Sequence, residues 1–171
     1  MKKVLFLLLI VWPFSGFVFS QAPPKFNLTK DGVKPVVLTF DTSYSANQIY
    51  TKVKEWVALT YKDSNAAIRV DKENTMVKVG ALKEKAWKIR TNNFDYWYEL
   101  EYTLLMEIKD TKCRVTFATP EVRYKVWYNK DGTTISKFKD SEATFEASIN
   151  ELLTTLYTHI KDPKKKAVDD W

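Results

Sequence analysis

From Tyr96 to Ile108 the chain alternates for thirteen residues without losing parity. Tyr96, Tyr98, Leu100, Tyr102, Leu104, Met106 and Ile108 share one parity, while Trp97, Glu99, Glu101, Thr103, Leu105 and Glu107 hold the other. Successive side chains of a strand point to opposite faces, so this segment predicts a long antiparallel strand with one buried and one largely wet face. Lys109-Asp110-Thr111-Lys112 closes a hairpin, and Cys113, Val115 and Phe117 face inward on the return beside outward Arg114 and Thr116. Pro120 ends that strand. Val122 to Tyr128 alternates again and reads as a short further strand or an extended edge.

The flanking segments supply the rest of a sheet and a layer to cover it. Val36 to Asp41 reads as a strand with Val36, Leu38 and Phe40 on one face. Ser45 with Gln48 fits a capping box, and Ile49, Val53, Trp56, Val57 and Thr60 then recur at helical spacing. The period returns to two at Ile68 and Val70. Lys72-Glu73-Asn74 can turn, and Met76 to Leu82 can come back as a strand. Gly80 interrupts it, which points to a bulge or a close neighbour. Lys83 to Arg90 suits either a continued strand or a helical turn, and Thr91-Asn92-Asn93 marks the next reversal.

After a polar loop from Lys130 to Lys139, Asp140 or Ser141 can cap a last helix. Its apolar stripe is Phe145, Ile149, Leu152, Leu153, Leu156 and Ile160, and Asp162-Pro163 stops it. The order is β-α-β-β-β-β-α. The expected fold class is α+β, an antiparallel sheet of about five strands with two helices packed on one face. Residues 36–161 form a single domain, preceded by an extended leader over 21–35 and followed by a charged tail over 162–171.

Residues 1–20 read as an address. Lys2 and Lys3 precede an apolar run from Val4 to Trp12, and small residues near Ser20 and Ala22 suit cleavage. The alternative is a retained single span, which needs about 20 apolar residues. No cysteine stands there for lipid attachment. The expected product is periplasmic or extracellular, not a lipoprotein, and without stable membrane insertion once the signal is cleaved. Loss of Lys2 and Lys3 lowers the formal charge from +6 to +4, too little and too concentrated in the tail to argue for nucleic acid.

The segments Thr51 to Trp56, Ala67 to Asp71, Val77 to Gly80, Tyr102 to Ile108 and Arg114 to Phe117 together resemble a family of uncharacterised secreted bacterial proteins. That family is a domain-of-unknown-function family with a TATA-binding-protein-like (TBP-like) fold. The resemblance covers roughly Val36 to Ile160 and implies the fold, but brings no reaction, ligand or catalytic residue. Nor does it imply DNA binding, because function belongs to a site rather than to an architecture. Minor-groove binding needs basic contacts and apolar wedges on the open sheet face, where this chain carries Glu99, Glu101 and Glu107.

Composition narrows the chemistry. One cysteine and one histidine among 171 residues exclude an internal disulfide, a Cys-rich zinc site and most His-based metal centres, so no cofactor and no metal are expected. Glycine occurs four times, and no phosphate-cradling loop or nucleophile elbow is present. Glu99 and Glu101 share a strand face at a spacing that paired carboxylates of a glycan hydrolase can use, although a solvated face paired with Arg114 or lysines is the plainer reading. His159 falls near a helix end and Cys113 on an apolar face, both as structural residues.

Trp97 and Trp127 fall on the parity opposite the core and mark a contact patch. The leading expectation is therefore a non-enzymatic module that binds an envelope protein or surface component. It uses the open sheet face, through Trp97, Trp127, Glu99, Glu101 and Arg114. The alternative is a carrier or sensor of a small apolar molecule, with Tyr96, Tyr98, Tyr102 and Trp56 in the core.

Overall fold

The structure, a computed structural model, describes residues 23–120 and 124–162. The expected signal peptide and nearly all of the charged tail lie outside the described residues. Among the described residues, seven strands and three helices follow in chain order: β1 (Asn27–Thr29), β2 (Gly32–Lys34), β3 (Val36–Thr39), α1 (Ala46–Thr60), α2 (Ser64–Ala67), β4 (Ile68–Lys72), β5 (Met76–Thr91), β6 (Phe94–Lys109), β7 (Lys112–Ala118) and α3 (Lys139–Lys161). Two 3-10 turns, Tyr124–Trp127 and Ser136–Phe138, join β7 to α3. The main sheet has five antiparallel strands in the order β3-β7-β6-β5-β4.

The α+β class and the helix layer agree with the alternation and stripes of the sequence. Val77, Val79, Leu104, Met106 and Val115 line one sheet face and are buried with Ile49, Val53 and Val57 of α1 and Phe145, Ile149 and Leu156 of α3. The capping box of α1 is present: the Gln48 amide donates to Ser45 Oγ at 3.3 Å, and the Ser45 amide donates to Gln48 Oε1 at 2.8 Å. Gly80 lies opposite a bulge in β4 between Ile68 and Val70, and a Cβ there would meet Arg69 Nε at 3.1 Å. The glycine makes room for the arginine that the bulge swings over it.

Three expectations change, and one open alternative is decided. The leader contains a two-stranded ribbon, β1–β2, with Phe26 and Leu28 buried. Its Phe26 amide donates to Asn150 Oδ1 of α3 at 2.7 Å, so the apolar residues between the prolines are anchors. The described part of Val122 to Tyr128 is a 3-10 turn and not a strand. Lys83 to Arg90 continues β5, with a bulge between Lys83 and Trp87. Finally, α3 starts at Lys139 with Phe138 at its boundary and no side-chain cap; Ser141 is buried, and Asp140 and Glu142 in the first turn favour the positive end of the helix dipole.

Candidate functional site

The longest strands set the site. β5 and β6 pair from Met76 opposite Glu107 to Thr91 opposite Phe94. A two-residue turn joins them, with Asn92 at φ 50° and Asn93 at φ 66°. A tight hairpin whose right-handed strand twist is to continue needs positive φ at both central residues, and asparagine tolerates it better than most.

Their neighbours are much shorter. β4 reaches only to Ile68 opposite Val79, and β7 only to Ala118 opposite Thr103. Continued past Thr103 and Ala118, the register would bring Pro120 to Glu101, on the parity whose amides would donate to β6. Proline has no amide hydrogen, so the ladder stops. Beyond that point the β5–β6 hairpin continues as a two-stranded ribbon.

Cover runs out in two stages along this ribbon. At the bulge, Glu84, Lys85 and Ala86 oppose Glu99 alone, and Lys85 takes φ 49°. Here α3 still supports β5: Ser148 Oγ donates to the Ala86 carbonyl at 2.5 Å, and the Lys88 amide donates to Thr144 Oγ1 at 3.2 Å. Trp87 stacks on Tyr98 with centroids 4.6 Å apart, and Trp127 packs against Trp87 at 5.3 Å and Phe145 at 5.7 Å. Past this stack, Phe94 is 67% exposed, Tyr96 54%, Trp97 47% and Tyr98 42%. Aromatic side chains stand on both faces of the ribbon end.

The charges there are mostly satisfied internally. Lys88 Nζ lies 2.6 Å from Asp95 Oδ2 and 5.6 Å from the centre of the Trp97 ring, and Arg90 Nε lies 3.6 Å from Asp95 Oδ1. The hydrogen bond from Lys88, with the charges of Lys88 and Arg90, holds the Asp95 carboxyl below its ordinary range. Glu99 and Glu101, on the same face as Trp97, are exposed and have no ion-pair partner among the described residues. Leu82, opposite Glu101, is also exposed.

The structure therefore brings Trp97, Glu99 and Glu101 together and separates the other two expected contacts. Trp127 is 2% exposed and belongs to the core, because it ends a 3-10 turn that sets its ring against Phe145 of α3. Arg114 is on the open face but belongs to Glu107, its cross-strand neighbour, through bonds of 2.7 Å from Nε and from Nη2. Tyr96 and Tyr98, expected in the core, are at the exposed end. Sequence reasoning missed Phe94 and Tyr96 as surface groups. The usable signal was the length of β6 against a β7 cut short by Pro120.

The observations behind a core ligand also change. Tyr102 and Trp56 are buried as expected, but Tyr61 and Tyr102 share a hydroxyl–hydroxyl bond of 3.0 Å, and Trp56 Nε1 donates to Thr155 Oγ1 at 3.2 Å. Burial raises both tyrosine hydroxyls above their ordinary range. Cys113 is buried, with its thiol pushed up to about 12 by desolvation. His159 Nε2 lies 3.3 Å from Glu55 Oε2 at the α1–α3 contact. A cleft of about 660 Å³ opens elsewhere, between the β1–β2 ribbon and residues 128–134; there Glu142 accepts from Tyr128 at 2.6 Å and Thr134 at 2.5 Å. Among the described residues no cluster of His, Cys, Asp and Glu suits a metal ion, and no helix is long and apolar enough to cross a membrane.

Residues 41–123 match the family model of a domain of unknown function (DUF4468) with TBP-like fold. The crystal structure of a DUF4468 family protein from Bacteroides ovatus ATCC 8483 is similar, with a TM-score of 0.55 and 13% sequence identity. The match covers 86% of this chain and 95% of that one, and at this identity it shows the fold. No curated protein matches.

Proposed function

We propose that this chain is a DUF4468-type domain and a non-enzymatic binding module, exported to the periplasm or beyond, that engages an envelope protein or surface component through the free end of the β5–β6 hairpin. The observation that carries this reading is the exposure of Phe94, Tyr96, Trp97 and Tyr98 together at the end of a ribbon. A folded domain normally keeps such groups apart or covered, and contact energy concentrates on large aromatic side chains. Packed rings of Trp87, Tyr98 and Trp127 lie beneath the end and support a surface formed before a partner arrives.

The test compares the wild-type chain with a Phe94→Ser, Trp97→Ala double variant as baits in envelope extract of the producing organism. The expected result is a reproducible partner recovered by the wild type and lost with the variant, while both chains unfold at the same temperature. Equal recovery by both, or none by either, overturns the reading.

A further inference from the structure

The outer edge of β6 has a direction and a charge that describe what can lie along it. The Ile108 amide donates to the Thr75 carbonyl on the β5 side, so even-numbered residues of β6 turn their backbone groups toward β5 and odd-numbered ones toward β7. Thr103, Leu105 and Glu107 meet β7 in this way. Asp95, Trp97, Glu99 and Glu101 have the same parity but lie beyond Ala118, where no described strand pairs with them. Four consecutive sites of a ladder are thus left open. Natural sheets usually shorten, cover or charge such an edge, and here no strand among the described residues covers it while the charge is acidic.

The opposite edge is not equivalent. Along β5, α3 already occupies the backbone at Ala86 and Lys88 through Ser148 and Thr144. Of the two edges of the ribbon beyond the bulge, the β6 edge is therefore the less obstructed one. We propose that Asp95 to Glu101 of β6 takes up an extended basic segment of a partner protein as an additional antiparallel strand, which rests on the binding role proposed above and names its partner's chemistry. Lysine or arginine at alternate positions of that segment falls beside Glu99 and Glu101, which have no ion-pair partner among the described residues, and over the Trp97 ring. The intervening positions face Tyr96 and Tyr98 and suit apolar side chains. A second copy of this chain is a poorer occupant, since antiparallel pairing of two β6 edges about Tyr98 sets Asp95 against Glu101.

The probe is a synthetic ten-residue peptide alternating lysine and valine, compared with a glutamate–valine peptide and with the lysine–valine peptide N-methylated at alternate residues. With the basic peptide, amide exchange at Trp97, Glu99 and Glu101 is expected to slow at least about ten-fold. The acidic and N-methylated peptides leave it unchanged, and a Glu99→Gln, Glu101→Gln variant loses most of the basic peptide's effect. Unchanged exchange, equal binding of the N-methylated peptide, or protection that rises with protein concentration alone each overturns the edge proposal. None of these touches the aromatic reading, which stands or falls on the Phe94→Ser, Trp97→Ala comparison.

Discussion

The two halves of the β5–β6 hairpin share one sequence pattern and have opposite fates. Near Val77, Val79, Leu104 and Met106 the inward parity is fully buried beneath the helices. Near Phe94, Tyr96 and Tyr98 the same parity, continued without interruption, is exposed. Alternation fixes which side a residue faces, but the neighbours decide whether that side is covered. β6 spans 16 residues and β7 only 7, and the difference is the ribbon.

The tryptophans break or sharpen this comparison most strongly. Trp127→Ala should cost about 3–5 kcal/mol in chemical denaturation, because it empties the space between Trp87 and Phe145. Trp97→Ala, on the ribbon, should stay within about 0.5 kcal/mol. Similar costs for both would mean that the ribbon end is held as firmly as the core, and the contrast would be lost.

An intermediate effect belongs to the turn. Asn93→Val forces a β-branched residue to adopt φ 66° and should cost about 1–2 kcal/mol, read as faster amide exchange confined to Lys88–Trp97. Exchange that accelerates equally in Val77–Val79 would show instead that the hairpin opens as one unit.

The smallest effect is acid. The folded carboxyl of Asp95 sits below its unfolded value of about 3.9, so its ion pairs are fully formed above that pH and are lost as pH falls through the lower folded value. A carboxyl carbon titration by NMR should show this late protonation, with loosening at Lys88 and Arg90 while core amides stay protected. Titration at the ordinary value would remove the ion pairs from the account.

Much of the fold was legible because it depends on local chemistry. The Ser45–Gln48 box, the stripe of α3 and the Asn92-Asn93 turn each announce themselves within a few residues. What was not legible depends on partners distant in sequence. Phe26 and Leu28 look like leader residues until α3 is beside them, and Trp127 looks outward until its 3-10 turn sets it against Phe145. Half the candidate site, Trp97 with Glu99 and Glu101, followed from parity. Arg114 did not, because its cross-strand register with Glu107 was not assigned.

The bond between the Phe26 amide and Asn150 spans 124 positions, and β5, β6 and β7 are by contrast joined through turns of two residues. Closing a long loop carries an entropy cost that neighbouring hairpins avoid, so the meander can assemble early while β1 waits. A ribosome delivers residue 26 long before residue 150. During that interval Phe26 and Leu28 lack the α3 contacts that bury them in the folded chain, and two apolar side chains stay open to water.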